Sequence, residues 1–415
     1  MHQPASGTMA AGGSDAAGGA TRRRSTLATA CGTHFLHDGF SDVIYLFLPI
    51  WQAEFALSLT QVGIAKSCYS GLSALGQVPA GLLAERLGER RLLALGTAVT
   101  GLAFISLGWA GAFIGLLALL CLAGLGTSVQ HPLASSVVAT AFDGRGLRSA
   151  LGIYNFSGDL GKAAVPVLAA LVISVFGWRW ATGSYGAIGV VAAVVILLLL
   201  TSLGAGSAPV RHDRPGPALG DRARGWGIRS HGGFGVLSSI TVIDNASRTA
   251  FLTFLPFLLI ERGAEVSTVG LALALTFIGG ATGKFLCGVL AERFGIIRTT
   301  VITEAMTAAG ILVVLLLPLW PTLMVLPLVG AALNGTSSVL YGTVADFVAP
   351  ERRSRGFGLF YTLGSGGSAI SPAVFGVLSD GFGVLTTLAV LSGFVALTIP
   401  LAILLRRPLG EVGAR

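Results

Sequence analysis

Gly81-Leu-Leu-Ala-Glu-Arg-Leu-Gly88, followed by Glu89-Arg90-Arg91, returns as Gly288-Val-Leu-Ala-Glu-Arg-Phe-Gly295, 207 positions further along the chain. The same offset relates Leu48-Pro49 to Leu255-Pro256 and Val62-Gly63 to Val269-Gly270. Pro166 and Phe176-Gly177 recur one position short of it, as Pro372 and Phe382-Gly383. Separate matches at nearly one offset mark a chain built from two related halves that run in the same sense.

The stretches around these repeats are too apolar for a soluble protein. Of 415 residues, 53% are hydrophobic and 11% charged, with a mean hydropathy of +0.79; soluble domains carry about 25% charged residues. Apolar residues come in long blocks, such as 186–203 and 311–332, and about 20 of them let a helix cross the hydrocarbon core. Only helices and closed barrels satisfy their backbone in lipid, and barrel strands alternate over about ten residues rather than run on. The expected class is an all-α membrane protein.

Spans are predicted at roughly 28–51, 59–84, 92–111, 114–141, 149–176, 182–203, 234–260, 267–291, 299–318, 322–347, 356–379 and 384–405. These give two pseudo-symmetric six-helix bundles, over 28–203 and 233–405, twelve transmembrane helices in all. Residues 1–27, rich in Gly, Ala and Ser and closing on Arg22-Arg23-Arg24, are expected as a disordered cytoplasmic tail, not a signal peptide. Residues 204–232, with Arg211, Arg214, Arg222, Arg224, Arg229, Pro215 and Pro217, form the expected linker, and 406–415 a short cytoplasmic tail. Arginines crowd the tails and alternate loops (Arg86, Arg90, Arg91, Arg145, Arg148, Arg293, Arg298, Arg352, Arg353, Arg355, Arg406, Arg407), while the opposite loops hold Arg179 and Arg262. The positive-inside bias then places both termini in the cytoplasm. The net charge of +8 is thus spread over loops facing membrane lipid and cytosol, with no nucleic-acid surface. Cys31, Cys68, Cys121 and Cys287 lie inside apolar segments at spacings that fit neither a disulfide framework nor a metal site. No metal and no cofactor is expected.

Ionisable residues inside spans cost about 2.5–3.5 kcal/mol each at a helix centre and mark pathways. The first span carries His34, His37, Asp38, Ser41, Asp42 and Tyr45, on one broad face. The fifth carries Asn155, Asp159 and Lys162; the seventh carries Asp244, Asn245 and Arg248. The 207-residue offset superposes His37 on Asp244, Asp38 on Asn245 and Ser41 on Arg248, so the two polar stripes should face each other across a central cavity. Lys66, Lys162 and Lys284 are the only lysines, and all fall within spans. Predicted pathway residues are His37, Asp38, Asp42, His131, Asn155, Asp159, Lys162, Asp244, Arg248 and Lys284. Asp159–Lys162 and Asp244–Arg248 also fit helix-locking pairs that touch no solute. His131 also fits a partner for a carbonyl freed by Pro132, and Lys66 and Lys284 are near enough to span ends to snorkel.

The loop from Gly81 to Arg91 resembles the signature loop of the major facilitator superfamily, with a degenerate copy from Gly288 to Arg298. Asp346-Phe-Val-Ala-Pro350-Glu351-Arg352-Arg353 is similar to that superfamily's connection between helices 10 and 11. Leu59-Thr60-Gln61-Val62-Gly63 and His131-Pro132 resemble the fosmidomycin-resistance type of exporter. Glu85 and Glu292 stand where the signature loop usually has Asp, Glu89 where it has a basic residue, and helix 5 lacks the Gly-Pro-x-x-Gly-Gly of many drug/proton antiporters.

The resemblance, over roughly 28–405, implies the major facilitator fold, a bacterial cytoplasmic (inner) membrane, and alternating access by one half rocking on the other. Gly81, Glu85, Arg86, Gly88, Arg90, Arg91, Glu292 and Arg293 are then expected to form a conformational latch, made in the outward-open state and broken in the inward-open one. The expected function is secondary active transport of a small anionic or drug-like solute by a monomer, as proton-coupled efflux; the alternative is proton-coupled import of a small organic anion. An enzyme is not expected: the six histidines are dispersed and no nucleophile stands with a base. Nor is an ATP-driven pump, for want of a Gly-x-x-x-x-Gly-Lys-[Ser/Thr] loop.

Overall fold

A computed structural model of the chain describes residues 11–142, 146–207, 226–349 and 353–413. The linker arginines 211, 214, 222 and 224, Arg145, and the Pro350-Glu351-Arg352 part of the second loop motif lie outside the described residues. The named elements are all helices: α1 Ala11–Phe55, α2 Leu59–Leu87, α3 Glu89–Leu107, α4 Phe113–Thr127, α5 Gln130–Ala141, α6 Leu147–Phe176, α7 Trp178–Ser202, α8 His231–Glu261, α9 Val266–Phe294, α10 Ile296–Leu316, α11 Leu319–Phe347, α12 Arg353–Ala396, α13 Thr398–Leu404 and α14 Arg406–Gly413. An isolated β-bridge joins Ile228 to Val348.

The helices follow the twelve predicted intervals except that α1 extends before the first and α14 lies in the expected C-terminal tail, and the grouping differs at the fourth interval and the last two. The fourth interval is split into α4 and α5 around Ser128 and Val129, because Pro132 has no N–H to give the carbonyl four residues back and its ring crowds that carbonyl. The last two intervals run together in α12, whose backbone turns at Gly383. The expected disordered tail is corrected over 11–27: α1 begins at Ala11 and continues without a break into the first span. Thr26 returns its hydroxyl to the Arg22 carbonyl, and an alanine-rich segment joined to a span is extended by propagation alone, without a fresh nucleus.

Eight helical stretches among the described residues are long and apolar enough to cross a membrane, one being the 55-residue run from Gly356 to Gly410. α1, α2 and α8 fall outside that set; α1 and α8 carry Asp38, Asp42, Asp244 and Arg248 within the span. The sequence repeat reappears as backbone. Gly88 and Gly295 take φ of 83° and 88°, and Gly177 and Gly383 both take 82°. A Cβ strains that region, so each half turns its second helix into its third, and its fifth into its sixth, through the same glycine corner.

Packing differs between the two ends of the bundle. One apolar core runs through both halves at the end where α2 begins, joining Phe40, Ile44 and Trp51 to Phe251, Phe254 and Leu388. At the opposite end, where the arginine loops lie, each half keeps its own core: Leu92, Val138 and Leu200 in one, Phe234, Val344 and Leu405 in the other. The halves touch mainly through α2 against α12 and α6 against α9. The Asp380 carboxylate accepts the Leu59 and Thr60 N–H groups at 2.7 and 2.9 Å, binding the start of α2 to the other half. Ser67 Oγ accepts the Ala373 N–H at 3.2 Å. Gly63 lies against the Pro372 carbonyl, where any Cβ would collide with backbone.

Candidate functional site

The predicted charges gather where α1, α5, α6 and α9 meet. His34 and Asp38 are one turn apart on α1, with Nε2 3.2 Å from Oδ2. His131 of α5 brings Nε2 to 3.7 Å from the other Asp38 oxygen. Lys162 of α6 places its ammonium 3.3 Å from Asp38, 3.9 Å from Asp42 and 3.8 Å from Asp159. Asp159 in turn accepts from Lys284 of α9 at 2.6 Å, which carries the network from one half to the other. These groups retain contact with solvent: the side chains of His131, Lys284 and Lys162 are 50%, 33% and 27% accessible. Lys284 thus reaches a partner in the other half and does not snorkel, and the Asp159–Lys162 pair belongs to the shared network.

His37, expected among these residues, faces elsewhere. It is fully buried, with Nε2 2.8 Å from the Thr97 hydroxyl of α3 and Nδ1 without a hydrogen-bond partner. His37 lies about 60° round the helix from His34, still on the broad polar side, and Thr97 of α3 draws its ring away from Asp38. His34, absent from the predicted set, stands against Asp38 where His37 was expected. Its Nδ1 is 2.8 Å from the Tyr154 carbonyl, which can only accept. That bond makes Nδ1 the donor and aims Nε2 at Asp38. Asn155 is exposed and makes no side-chain bond to the cluster.

Lys66 was open to either reading and is buried. It donates to the Ser41 carbonyl at 3.2 Å and lies over the rings of Tyr45 and Tyr69, at 4.2 and 5.1 Å from their centroids. Tyr69 bridges the hydroxyls of Ser41 and Thr127.

The second half builds a different arrangement. Arg248 sits 3.6 Å from Asp244 one turn earlier, hydrogen-bonds Asn245, and donates to Asn334 of α11 at 3.3 Å. Asp244 is buried and leaves Oδ2 without a hydrogen bond. Glu304 of α10 lies close enough for its carboxyl to interact with Asp244 and is 2% accessible, receiving the Thr398 hydroxyl at 3.1 Å. Asp42 and Lys162 are within electrostatic reach of Arg248, so the two polar stripes face each other across the halves. Glu304 is absent from the predicted set, although a lone carboxyl within the span over 299–318 is itself a signal of this kind.

His34, Asp38 and His131 offer three ligand atoms within 4.8 Å of one another, a donor set that suits a divalent cation. The Lys162 ammonium, 3.3 Å from Asp38, already supplies a positive charge there.

The loop residues stand apart from this network. Among the described residues, no ion pair joins Glu85 or Glu292 to Arg86, Arg90, Arg91 or Arg293. Arg90 donates its backbone N–H to Gly206 at 2.9 Å, Arg293 lies over the Phe294 ring, and Glu89 accepts from Ser136. Gly81 and Glu85 border a cavity shared with Arg22 and Arg23, and nothing packs where a Gly81 or Gly288 side chain would point.

Comparison with known proteins finds the profile of the Major Facilitator Superfamily matching residues 30–233 and 237–414. The chain is 24% identical over 361 residues to the fosmidomycin resistance protein of Escherichia coli (strain K12), covering 84% of each. It is 26% identical over 364 residues to a probable 4-methylmuconolactone transporter of Cupriavidus pinatubonensis (strain JMP 134 / LMG 1197), covering 85% of this chain and 83% of that one. Its fold superposes with a TM-score of 0.78 on a bacterial homologue of the human lysosomal transporter Spinster in an inward-facing, unoccupied conformation, at 17% identity over 94% of this chain and 98% of the other.

Proposed function

The chain belongs to the Major Facilitator Superfamily, a multi-pass membrane transporter of small solutes, and on that footing we propose that it exports a small organic anion in exchange for protons. The observation that carries this reading is the chain of ion pairs from Asp38 through Lys162 and Asp159 to Lys284, which crosses the halves and stays open to water. Here the bundle is joined at the Asp380 end and separate at the arginine-loop end, which on the positive-inside bias faces the cytoplasm. We read this as an inward-open state, and the lack of an ion pair at Glu85 and Glu292 among the described residues supports a latch that closes only in the other state.

The chemistry follows from the partners. A solute anion entering from the loop end meets Lys162, Lys284 and Arg248. By taking Lys284 from Asp159 it removes a tie between the halves, so binding and loosening are one event. His34 and His131, whose Nε2 atoms both face the Asp38 carboxylate, can take a proton from the far side on an imidazole and release it on return, with Asp38 holding the charged form. The halves rock around this fixed site. The fosmidomycin relative supports an exported phosphonate; the 4-methylmuconolactone relative supports an organic acid.

Flux of fosmidomycin into proteoliposomes under an imposed pH gradient tests the coupling. Wild-type flux should follow the gradient, and Asp38→Asn and Asp159→Asn should lose that dependence. Flux indifferent to the gradient, with both variants fully active, refutes proton coupling. Resistance of an overexpressing strain, set against growth on the same acids, decides export from import.

A further inference from the structure

Neither the anion nor the proton makes use of the wall formed by α11 and α12. Tyr341 of α11 stacks on Tyr361 of α12, with centroids 4.7 Å apart and planes 28° from parallel. Phe357 continues the series one turn on, 6.4 Å from Tyr361 at 32°. Phe360 meets Tyr341 edge-on at 5.8 Å and is itself fully buried in the C-terminal core, which fixes the Tyr341 ring from the side.

The direction of this wall is set by its neighbours. Tyr341 is within electrostatic reach of Arg248 and Asp244 in its own half and of Lys162 in the other. Its side chain also bonds to Asn245, which holds Arg248, so the ring lies beside the C-terminal cation. Tyr361 leaves 47% of its surface accessible, although the core that buries Phe360 begins one residue away. A large ring held by a stacked partner, with much of its surface open, offers a flat face to a third ring. Aromatic groups prefer offset-stacked or edge-on neighbours with centroids about 4.5–7 Å apart, and gain beyond the area they bury. Lys162 of the other half, with Lys284 and Arg248 of the same half, supplies cations suited to carboxylate or phosphonate.

We propose that the transported solute is a planar, conjugated organic acid, its acidic group held by Arg248, Lys162 and Lys284 and its flat body stacked on the Tyr361–Tyr341 pair. This rests on the anion reading above and narrows it. Saturated acids of the same charge would be held by the head group alone.

Benzoate, 2-naphthoate and cyclohexanecarboxylate separate the two claims, since benzoate and cyclohexanecarboxylate match in charge and nearly in size but only one is flat. Equilibrium binding to the purified full chain should favour benzoate over cyclohexanecarboxylate by about two- to tenfold, with 2-naphthoate tighter still. Tyr361→Phe should keep that preference. Tyr361→Leu, which retains apolar volume but no ring, should bring the two small acids within about twofold of each other by weakening benzoate alone. Arg248→Gln should weaken all three acids together. Equal binding of the two small acids to wild type, or equal weakening of both by Tyr361→Leu, overturns the stacking platform and leaves the anion reading standing. If none of the three acids binds, the anion reading itself fails and the platform with it.

Discussion

Lys162 in the N-terminal half faces three carboxylates at 3.3–3.9 Å, whereas Arg248 in the C-terminal half faces Asp244 at 3.6 Å and is held by the amides of Asn245 and Asn334. The lysine's point charge can move among its partners with little change of geometry. The arginine's planar fork is fixed by two side chains at once. In the first half Lys162 and His131 keep 27% and 50% of their side-chain surface accessible, while Asp38 there is as buried as Asp244 and Glu304 in the second. Two halves from one repeat have therefore divided the work: one holds an exchangeable network that bridges to the other half through Lys284, and the other holds a rigid cation. The lesson is that equivalent places in a repeat need not carry equivalent chemistry. Where the repeat puts Asp38 in one half it puts Asn245 in the other.

That division can be broken by substitution. Asp38→Asn should have the largest effect, cutting gradient-driven flux by about 100-fold or more, because it removes the carboxylate that faces His34, His131 and Lys162 at once. Counterflow of solute in the absence of a gradient separates lost coupling from lost folding. Arg248→Lys comes next. It keeps the charge but loses the fork, and apparent solute affinity should fall about tenfold as Asn245 and Asn334 lose their partner. If Arg248→Lys were silent, the C-terminal cation would not be rigid in the sense used here.

Asp42→Asn should be milder, about threefold in flux, since Lys162 keeps two other carboxylates and one unit of shared charge is worth less than a sole partner. A loss as large as that of Asp38→Asn would show that the network does not share. Glu304→Gln should change solute binding by no more than about twofold, because a neutral amide still accepts from Thr398 and one cation facing two acids is balanced when one of them carries a proton. Loss of gradient-driven flux in Glu304→Gln would instead move part of the proton chemistry into the second half.

The smallest effect is expected at the surface pair outside both networks. The Arg179 hydrogen bond at 2.8 Å holds the Glu54 carboxyl below its ordinary range. Its contribution is therefore present above the ordinary glutamate value and fades as pH falls through the lowered one. Both groups are exposed and solvent screens them, so Glu54→Gln should leave the melting temperature and flux unchanged from roughly pH 5 to pH 8.

Much of the site was legible in the residues because lipid makes charge conspicuous. Asp38, Asp159, Lys162, Asp244, Arg248 and Lys284 stand out in apolar segments, and all are found in the two facing clusters. Helical spacing alone could not choose between His34 and His37, since both lie on the broad polar side of α1; the choice was made by Thr97 and Tyr154, from other helices. Nor could it tell that Lys66 turns onto tyrosine rings while Lys284 reaches Asp159. Both lie near span ends, and a flexible side chain goes where a partner is.

By itself the sequence determined the class, the repeat and the glycine corners, because hydropathy, an offset between copies and the absence of a Cβ are properties of the chain and its solvent. The tertiary structure alone decided which charges share partners, that Asp380 closes one end by binding the first amides of α2, and that Tyr341 and Tyr361 stack beside them. Those depend on side chains hundreds of residues apart meeting within a few ångströms, and no pattern along the chain encodes that distance.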